Sequence, residues 1–428
     1  MTPTQLALFD NPGSAPKTAT SSTFTDNLRL PVHRWFRYSA GFSARWAESV
    51  IAEAATSKEV RVLDPFAGSG TTLLCAEDSG VSSYGIESHP FIARVARAKL
   101  ARRTDAGAYL AFAGQVLKQA ANEQSTVATY PSLVRKCYHD ETLAELDQLR
   151  SAFERHADGS PASQLTWLTL VAILRRVSHV GTAQWQYVLP RKSKKNPEVP
   201  FNAFRGMTAI VYRDMLRSQH APGPAACLVE GDARTCEGVP AGFATLVITS
   251  PPYPNNYDYA DATRLEMTFL REISGWGDLQ QAVRQHLVRS CSQHVPERTV
   301  NLREVLASDV LEPIRPDLEA VCAELSRIRH LKGGKKTYHL MVACYFLDLA
   351  GVWHALRRVC DSPCQVCFVV GDSAPYGVYV PVMNWLGRLA LAAGFDAYRF
   401  EKTRDRNIKW KNRKHRVPLC EGRLWVDG

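Results

Sequence analysis

The sequence predicts an α/β protein: a mostly parallel sheet with a terminal antiparallel hairpin, interrupted by mainly helical insertions. Three observations carry this reading. Val60-Arg-Val-Leu-Asp64 is a short β-branched run closed by Pro65 and a glycine turn, and a helical pattern starts at Thr71. Ser83-Tyr-Gly-Ile-Glu87 follows within the spacing of a βαβ crossover, the connection that parallel strands require. The last two strands, around Tyr398 and Leu424, have mostly basic residues between them and no room for a buried crossover helix, so they pair antiparallel.

In chain order, residues 1–25 read as a disordered tail, because Pro, Gly, Ser, Thr and Ala dominate from Asn11 and little can be buried. Residues 26–101 hold an amphipathic helix with Trp46, Ala47, Val50, Ile51 and Ala54 at helical period, then the strand–loop–helix–strand above. The alternation stops over 102–225, where Leu143, Leu146, Leu149 and Phe153 share one helical face and Leu165, Leu168 and Ala172 another. We expect an insertion there, and a DNA-recognition region if the partner is DNA. Two buried-type strands return within 226–266, at Ala226–Asp232 and Ala244–Ser250. A second insertion spans 267–337, where Ile314, Leu318, Val321, Leu325 and Ile328 form a helical seam too short for a coiled coil and suited to core packing. Residues 338–428 complete the sheet with a helix from Met341 to Val359, a strand from Gln365 to Asp372, a helix from Asn384 to Gly394 and the hairpin.

With 428 residues, 45% apolar and 22% charged, the chain has the composition of a globular protein. No apolar run approaches the ~18 residues of a membrane span, and the N-terminus lacks a secretory pattern, so we expect no membrane partner and a cytoplasmic protein. Eleven scattered cysteines read as reduced thiols. The net charge is +10 and unevenly placed: Arg191, Lys192, Lys194 and Lys195; Arg327, Arg329, Lys332, Lys335 and Lys336; and the stretch from Arg399 to Arg416. Together these exceed the whole chain's excess, leaving basic stripes on a mildly acidic body and implying a polyanion partner.

The sharpest local signal is Asp64-Pro-Phe-Ala-Gly-Ser-Gly-Thr-Thr72 between a strand and a helix. Gly68 and Gly70 let the backbone turn and a ligand approach it closely, and Glu87, ending the next strand, suits both hydroxyls of a ribose. Leu73 stands where a dinucleotide fold wants a third glycine, which disfavours a nicotinamide dehydrogenase, and no Lys follows the loop to grip phosphates. A nucleoside without a pyrophosphate fits, and S-adenosylmethionine is the better candidate, with Asp64 facing its ammonium. The second signal is Thr249-Ser-Pro-Pro-Tyr253 at the carboxyl end of an apolar strand, the rim where open α/β sheets bind ligands. Its parts suit methyl transfer to an exocyclic amine. The Ser250 hydroxyl and the Pro251 carbonyl would accept the N–H groups, Pro252 would stiffen the turn, and Tyr253 would offer an aromatic face to a base that has left its stack.

On these residues the sequence resembles the amino-methylating DNA methyltransferases, which modify cytosine N4 or adenine N6. The resemblance implies the S-adenosylmethionine-dependent methyltransferase fold, Rossmann-like with seven strands, and double-stranded DNA as substrate. It casts Asp64, Phe66, Gly68, Gly70 and Thr71 as cofactor-loop residues, Glu87 as the ribose acid and Asp232 as the acid that reads the adenine amine. Ser250 to Tyr253 resemble the catalytic motif, whose Ser form is commoner in cytosine-N4 enzymes; adenine N6 is the alternative, and a non-catalytic, clamp-tethered DNA-binding protein a remoter one. Residues His33 to Ser43 resemble the segment that closes over the methionine tail, and Val366 to Ser373 the later catalytic half. A cognate restriction nuclease is a candidate partner. The family's usual single recognition block is here divided between the two insertions. Lys192, Lys194, Lys409, Lys411, Arg413 and Lys414 are the expected phosphate contacts. Pro363-Cys364-Gln365 resembles a carbon-5 nucleophile turn but lacks its companion motif, and Cys360, Cys364 and Cys367 lack a fourth ligand, so no metal is expected. Finally, Gln5-Leu-Ala-Leu-Phe9 is similar to the pentapeptide by which bacterial proteins dock on the replication sliding clamp, with Gln5, Leu8 and Phe9 as anchors.

Overall fold

The computed structural model describes residues 24–38, 41–56, 59–180, 193–194, 196–220, 223–298, 300–333, 336–406 and 417–428. Gln5, Leu8, Phe9, Lys192, Lys409, Lys411, Arg413 and Lys414 therefore lie outside the described residues.

Seven strands form one sheet: β1 (Arg61–Asp64), β2 (Ser82–Glu87), β3 (Cys227–Glu230), β4 (Ala244–Thr249), β5 (Cys360–Gly371), β6 (Ala397–Arg406) and β7 (Leu419–Asp427), in the order β3-β2-β1-β4-β5-β7-β6. β1 pairs in parallel with β2 and β4, β2 with β3, and β4 with β5. β7 runs antiparallel to both β5 and β6. The expected hairpin is present, and its second strand enters the sheet between β5 and β6. This leaves β6 at the edge, where charged side chains guard its unpaired backbone.

The helices are α1 (Ala44–Ala55), α2 (Thr71–Asp78), α3 (Pro90–Leu100), α4 (Ala106–Ala120), α5 (Ser132–Arg135), α6 (Asp140–His156), α7 (Pro161–Val177), α8 (Pro200–Ser218), α9 (Arg264–Phe269), α10 (Leu279–Ala282), α11 (Leu302–Leu306), α12 (Arg315–Leu331), α13 (Tyr338–Val359) and α14 (Val382–Ala392). Alternation along the strands divides the sheet's two faces. Val62, Leu246, Ile248, Cys367, Val369 and Trp425 pack with α1 and α2, whereas Leu63, Val247, Val366, Phe368, Val370 and Leu424 pack with α12, α13 and α14. This is the S-adenosylmethionine-dependent methyltransferase fold.

Four details differ from the sequence reading. β3, read as a strand of buried type, forms the other edge of the sheet, with Cys227 and Glu230 exposed and Leu228 and Val229 half-buried, because it has a neighbour on one side only. The seam of α12 buries Cys322, while Val321 stays partly exposed, because the drift of an α-helix against a strict heptad turns the neighbouring position inward. β5 begins at Cys360 rather than Gln365. And α13 is long and apolar enough, by length and composition, to cross a membrane. The apolar runs hid this because polar residues interrupt it; it is a core helix, and its buried Asp348 is paired with Arg289.

Helices α4 to α8, which fill the first interruption, share one hydrophobic core with the N-terminal residues Val32, Trp35, Phe36 and Tyr38 and with Ala260, Leu265 and Phe269 beyond the catalytic motif. The eleven cysteines are free thiols.

Candidate active site

The glycine loop forms where β1 ends. Ala67 N donates to the Ile86 carbonyl at 2.9 Å and Gly70 N to the Ala67 carbonyl at 2.9 Å, fixing the turn against β2. Gly70, with φ +85°, is the N-cap of α2, a left-handed conformation natural only to glycine. At Gly68, a Cβ would come within 3.0 Å of the Tyr38 ring, so a side chain there would push away the segment that covers the loop. Leu73, where a third glycine was wanted, meets a glycine on the strand instead: a Cβ at Gly85 would lie 2.7 Å from its side chain. Close helix–strand approach is thus achieved with the glycine on the other partner.

One cavity joins the two sequence signals. It is lined by Asp64, Phe66, Gly68 and Thr71 from the loop, Glu87 and His89 after β2, and Ser250 and Pro252 after β4. Tyr38, Gly41 and Phe42 close it from the N-terminal segment that resembles the methionine-tail cover. Of the remaining expected residues, Gly70, Pro251 and Tyr253 sit outside the lining, with Pro251 buried and Tyr253 half-buried. Asp232 also lies off the cavity, its carboxylate held by Arg234 Nε at 2.9 and 2.8 Å. Arg234 in turn lies 3.5 Å from buried Asp348, which accepts three bonds from Arg289. Tyr259, Leu287 and Val288 line the cavity without any local sequence signal, because they reach it from the connection after the catalytic motif.

The electrostatics are those of a site built for a cation. Asp64 accepts hydroxyl bonds from Thr72 at 2.6 Å and Thr249 at 2.6 Å and the Phe66 N–H at 3.0 Å, tying together β1, α2 and β4. Glu87 accepts the Gly68 and His89 N–H groups at 2.7 and 2.8 Å. Burial raises Asp64 to about 6 and Glu87 to about 7 against these hydrogen bonds. Neither is ion-paired within the described residues. Two buried carboxylates held in place without a cation fit a ligand that brings positive charge and a ribose, as S-adenosylmethionine does. Burial also holds His89 down at about 3, so it is neutral; its Nε2 lies 2.9 Å from Thr263 Oγ1.

Buried Lys99 fastens the cover to the loop: its Nζ donates to the His33 carbonyl at 3.3 Å and to Ser69 Oγ at 3.2 Å. Ser250 Oγ donates to the Val369 carbonyl at 3.1 Å, which commits its proton to β5; its oxygen also shares a hydrogen bond with the Tyr253 side chain, which leaves it one further lone pair with which to accept. The only expected phosphate contact among the described residues, Lys194, donates its Nζ to the carbonyls of Arg175 and Arg176 at 2.6 and 2.8 Å, capping α7. Among the described residues, Asp258, Cys291 and His294 bring ligand-type atoms within 4.8 Å of one another. Arg284 already neutralises Asp258, donating from Nε and Nη2 at 3.1 and 2.8 Å, so the trio anchors the turn after the catalytic motif.

Comparison with known proteins agrees with this geometry. The family model described as DNA methylase, for the N6 and N4 enzymes, matches residues 8–98. Over 406 residues the chain is 26% identical to the type II methyltransferase M.AvaI of Nostoc sp. (strain PCC 7120 / SAG 25.82 / UTEX 2576) and to that of Anabaena variabilis, covering 87% of this chain and 81% of each relative. It is 25% identical over 427 residues to the type II methyltransferase M.BsoBI of Geobacillus stearothermophilus, covering 87% and 80%. No solved structure matches the chain.

Proposed function

We propose that this chain, with the fold, cofactor loop and relatives of an amino-methylating DNA methyltransferase, methylates the N4 amine of cytosine in double-stranded DNA as a type II enzyme. S-adenosylmethionine supplies an electrophilic methyl carbon, to which the amine nitrogen bonds as the sulfur–carbon bond breaks. The chain's own residues prepare the nitrogen. An exocyclic amine is conjugated with its ring and is a poor nucleophile; acceptors on its N–H groups turn its lone pair toward the methyl group and hold it in line. Ser250 carries the reading: its proton is spent on Val369, so its oxygen meets an amine only as an acceptor, and it lines the same cavity as Asp64 and Glu87. The methylated nitrogen then loses its surplus proton to solvent. Asp64 and Glu87 hold the cationic, ribose-bearing cofactor, with Tyr38, Gly41 and Phe42 set against it.

Serine at the head of the motif favours cytosine over adenine. Residues 409–414, with Lys192, supply phosphate contacts, and residues 5–9 dock on a sliding clamp. The test of the central reading is incubation with methyl-labelled S-adenosylmethionine and DNA, then digestion to nucleosides and mass spectrometry. N4-methylcytosine is expected; N6-methyladenine would replace the cytosine reading, and unlabelled DNA would end the methyltransferase one.

A further inference from the structure

We infer that Arg406 is a positioning residue for the catalytic motif: it holds the ring of Tyr253 from one face so that the other is presented to the extruded base. The inference rests on the methyl-transfer reading and names a residue that neither sequence motif contains. The guanidinium carbon of Arg406 lies 5.2 Å from the centroid of the Tyr253 ring. A guanidinium set over an aromatic face is attracted to it, and the contact strengthens as water is withdrawn. Here the arginine side chain is 19% exposed.

The arginine is itself fixed. It leaves β6, the edge strand, and reaches across β7 to the end of β5, where its Nη1 donates to the Asp372 carbonyl at 2.9 Å. Its Nε lies 3.7 Å from the carboxylate of Glu421, a buried residue of β7. Its path runs over Gly371: a Cβ there would lie 2.8 Å from Nη1 and 3.2 Å from Cδ, so glycine is what lets the side chain lie flat. A cation tied at two points and laid along a backbone groove is a support, not a loose surface charge. Beside it, Ser373 Oγ, two residues beyond β5, donates to the Pro254 carbonyl at 2.6 Å, so the chain is also held at the residue after Tyr253.

This arrangement answers a need of the chemistry. A tyrosine that stacks a flipped base must have its ring plane set before the base arrives, because a misplacement of ~1 Å costs on the order of 10²-fold in rate. Arg406 is also the last residue of β6, directly before the basic segment 407–416.

The test uses the full-length protein and duplex DNA carrying the mapped site, with 2-aminopurine at the target base for flipping. Arg406→Ala, Arg406→Gln, which keeps a donor for the Asp372 carbonyl, and Arg406→Lys, which keeps the charge, are compared with Tyr253→Ala and the Arg406→Ala/Tyr253→Ala double variant. Titration with S-adenosylmethionine reports whether each folds. Expected are a fall in kcat of about 10- to 100-fold for Arg406→Ala and Arg406→Gln, KM for DNA and cofactor affinity within about threefold, a weaker 2-aminopurine signal, and partial recovery in Arg406→Lys. In the Tyr253→Ala background, removing Arg406 should cost nothing further. Wild-type kcat and fluorescence in Arg406→Gln, or losses that multiply in the double variant, would overturn the inference while leaving the methyltransferase intact. A wild-type protein that methylates no DNA would instead overturn the reading on which it rests.

Discussion

Asp64 and Glu87 bear on one another through the cavity they share. Their raised values, about 6 and about 7, mean that both carboxylates are protonated in the empty site at acidic pH and ionised near pH 8. A cationic cofactor binds the ionised form, so its affinity should fall as pH drops from 8 through 7 and 6. The linkage to stability runs the same way: because the folded values lie above the unfolded ones, ionising these groups destabilises the empty protein as pH rises, and a bound cation removes that cost. The increase in Tm produced by saturating S-adenosylmethionine should therefore be larger at pH 8 than at pH 6, as differential scanning fluorimetry would measure. An increase independent of pH would count against both carboxylates as cofactor contacts. Ser250→Ala should lower kcat by about 10²-fold with cofactor affinity unchanged within a few-fold, since its oxygen serves the amine and not the cofactor. Calorimetric titration beside steady-state kinetics separates the two. These residues were legible in the sequence because glycine, proline and strand-end carboxylates act within a few positions of one another.

At the scale of elements, the helical layer of α4 to α8 supports the cofactor cover. Asp214 of α8, fully buried, accepts the Val32 N–H at 3.1 Å, Arg34 Nε at 3.0 Å, Arg34 Nη2 at 2.5 Å and Trp35 Nε1 at 2.8 Å. Val32 is held with φ +63°, a costly conformation for a β-branched residue that persists only when its surroundings dictate it. On the other side, Arg175 of α7 donates from Nε and Nη2 to Glu266 at 2.5 and 2.8 Å and from Nη2 to the Ala262 carbonyl at 2.8 Å, bracing the chain after the catalytic motif. Asp214→Ala should destabilise the protein by about 3–5 kcal/mol, the usual result of removing one partner from a buried ion pair. Asp214→Asn, which keeps the shape but drops the charge, should weaken S-adenosylmethionine binding about tenfold, roughly 1.4 kcal/mol, through the loosened cover. Calorimetry on the folded Asn variant checks this; unchanged affinity would confine Asp214 to stability. The insertion's helices could be read from their apolar period, but their duty could not, because the partners of Asp214 lie about 180 positions away in the chain.

Over the whole molecule, the three basic stretches are not equivalent. Among the described residues of the first two, Arg327 and Arg329 are paired with Glu324 and Glu297, and Lys194 is engaged with carbonyls. We therefore place the proposed phosphate contacts chiefly in the stretch following Arg406. Replacing Lys409, Lys411 and Arg413 by Ala should reduce the magnitude of the log–log salt slope of DNA binding by about 0.9 for each phosphate left without its cation. An unchanged slope would reduce the stretch to solvated surface. A labelled peptide of residues 1–20 should bind a purified sliding clamp with about micromolar affinity and lose it in Leu8→Ala and Phe9→Ala, read by fluorescence anisotropy. The sequence by itself determined the strand–loop–helix units, the two motifs, the interruptions and the antiparallel end, since each follows from backbone preferences and apolar period over a dozen residues or fewer. Only the tertiary structure decided that β7 enters the sheet between β5 and β6, bringing Arg406 to Tyr253. It also decided that Leu287 and Val288 wall the cavity, and that the first insertion shares its core with Val32, Trp35, Phe36 and Tyr38 ahead of α1. Those contacts join residues far apart in the chain, and such pairings are fixed by the burial of whole faces against one another, which no local pattern encodes.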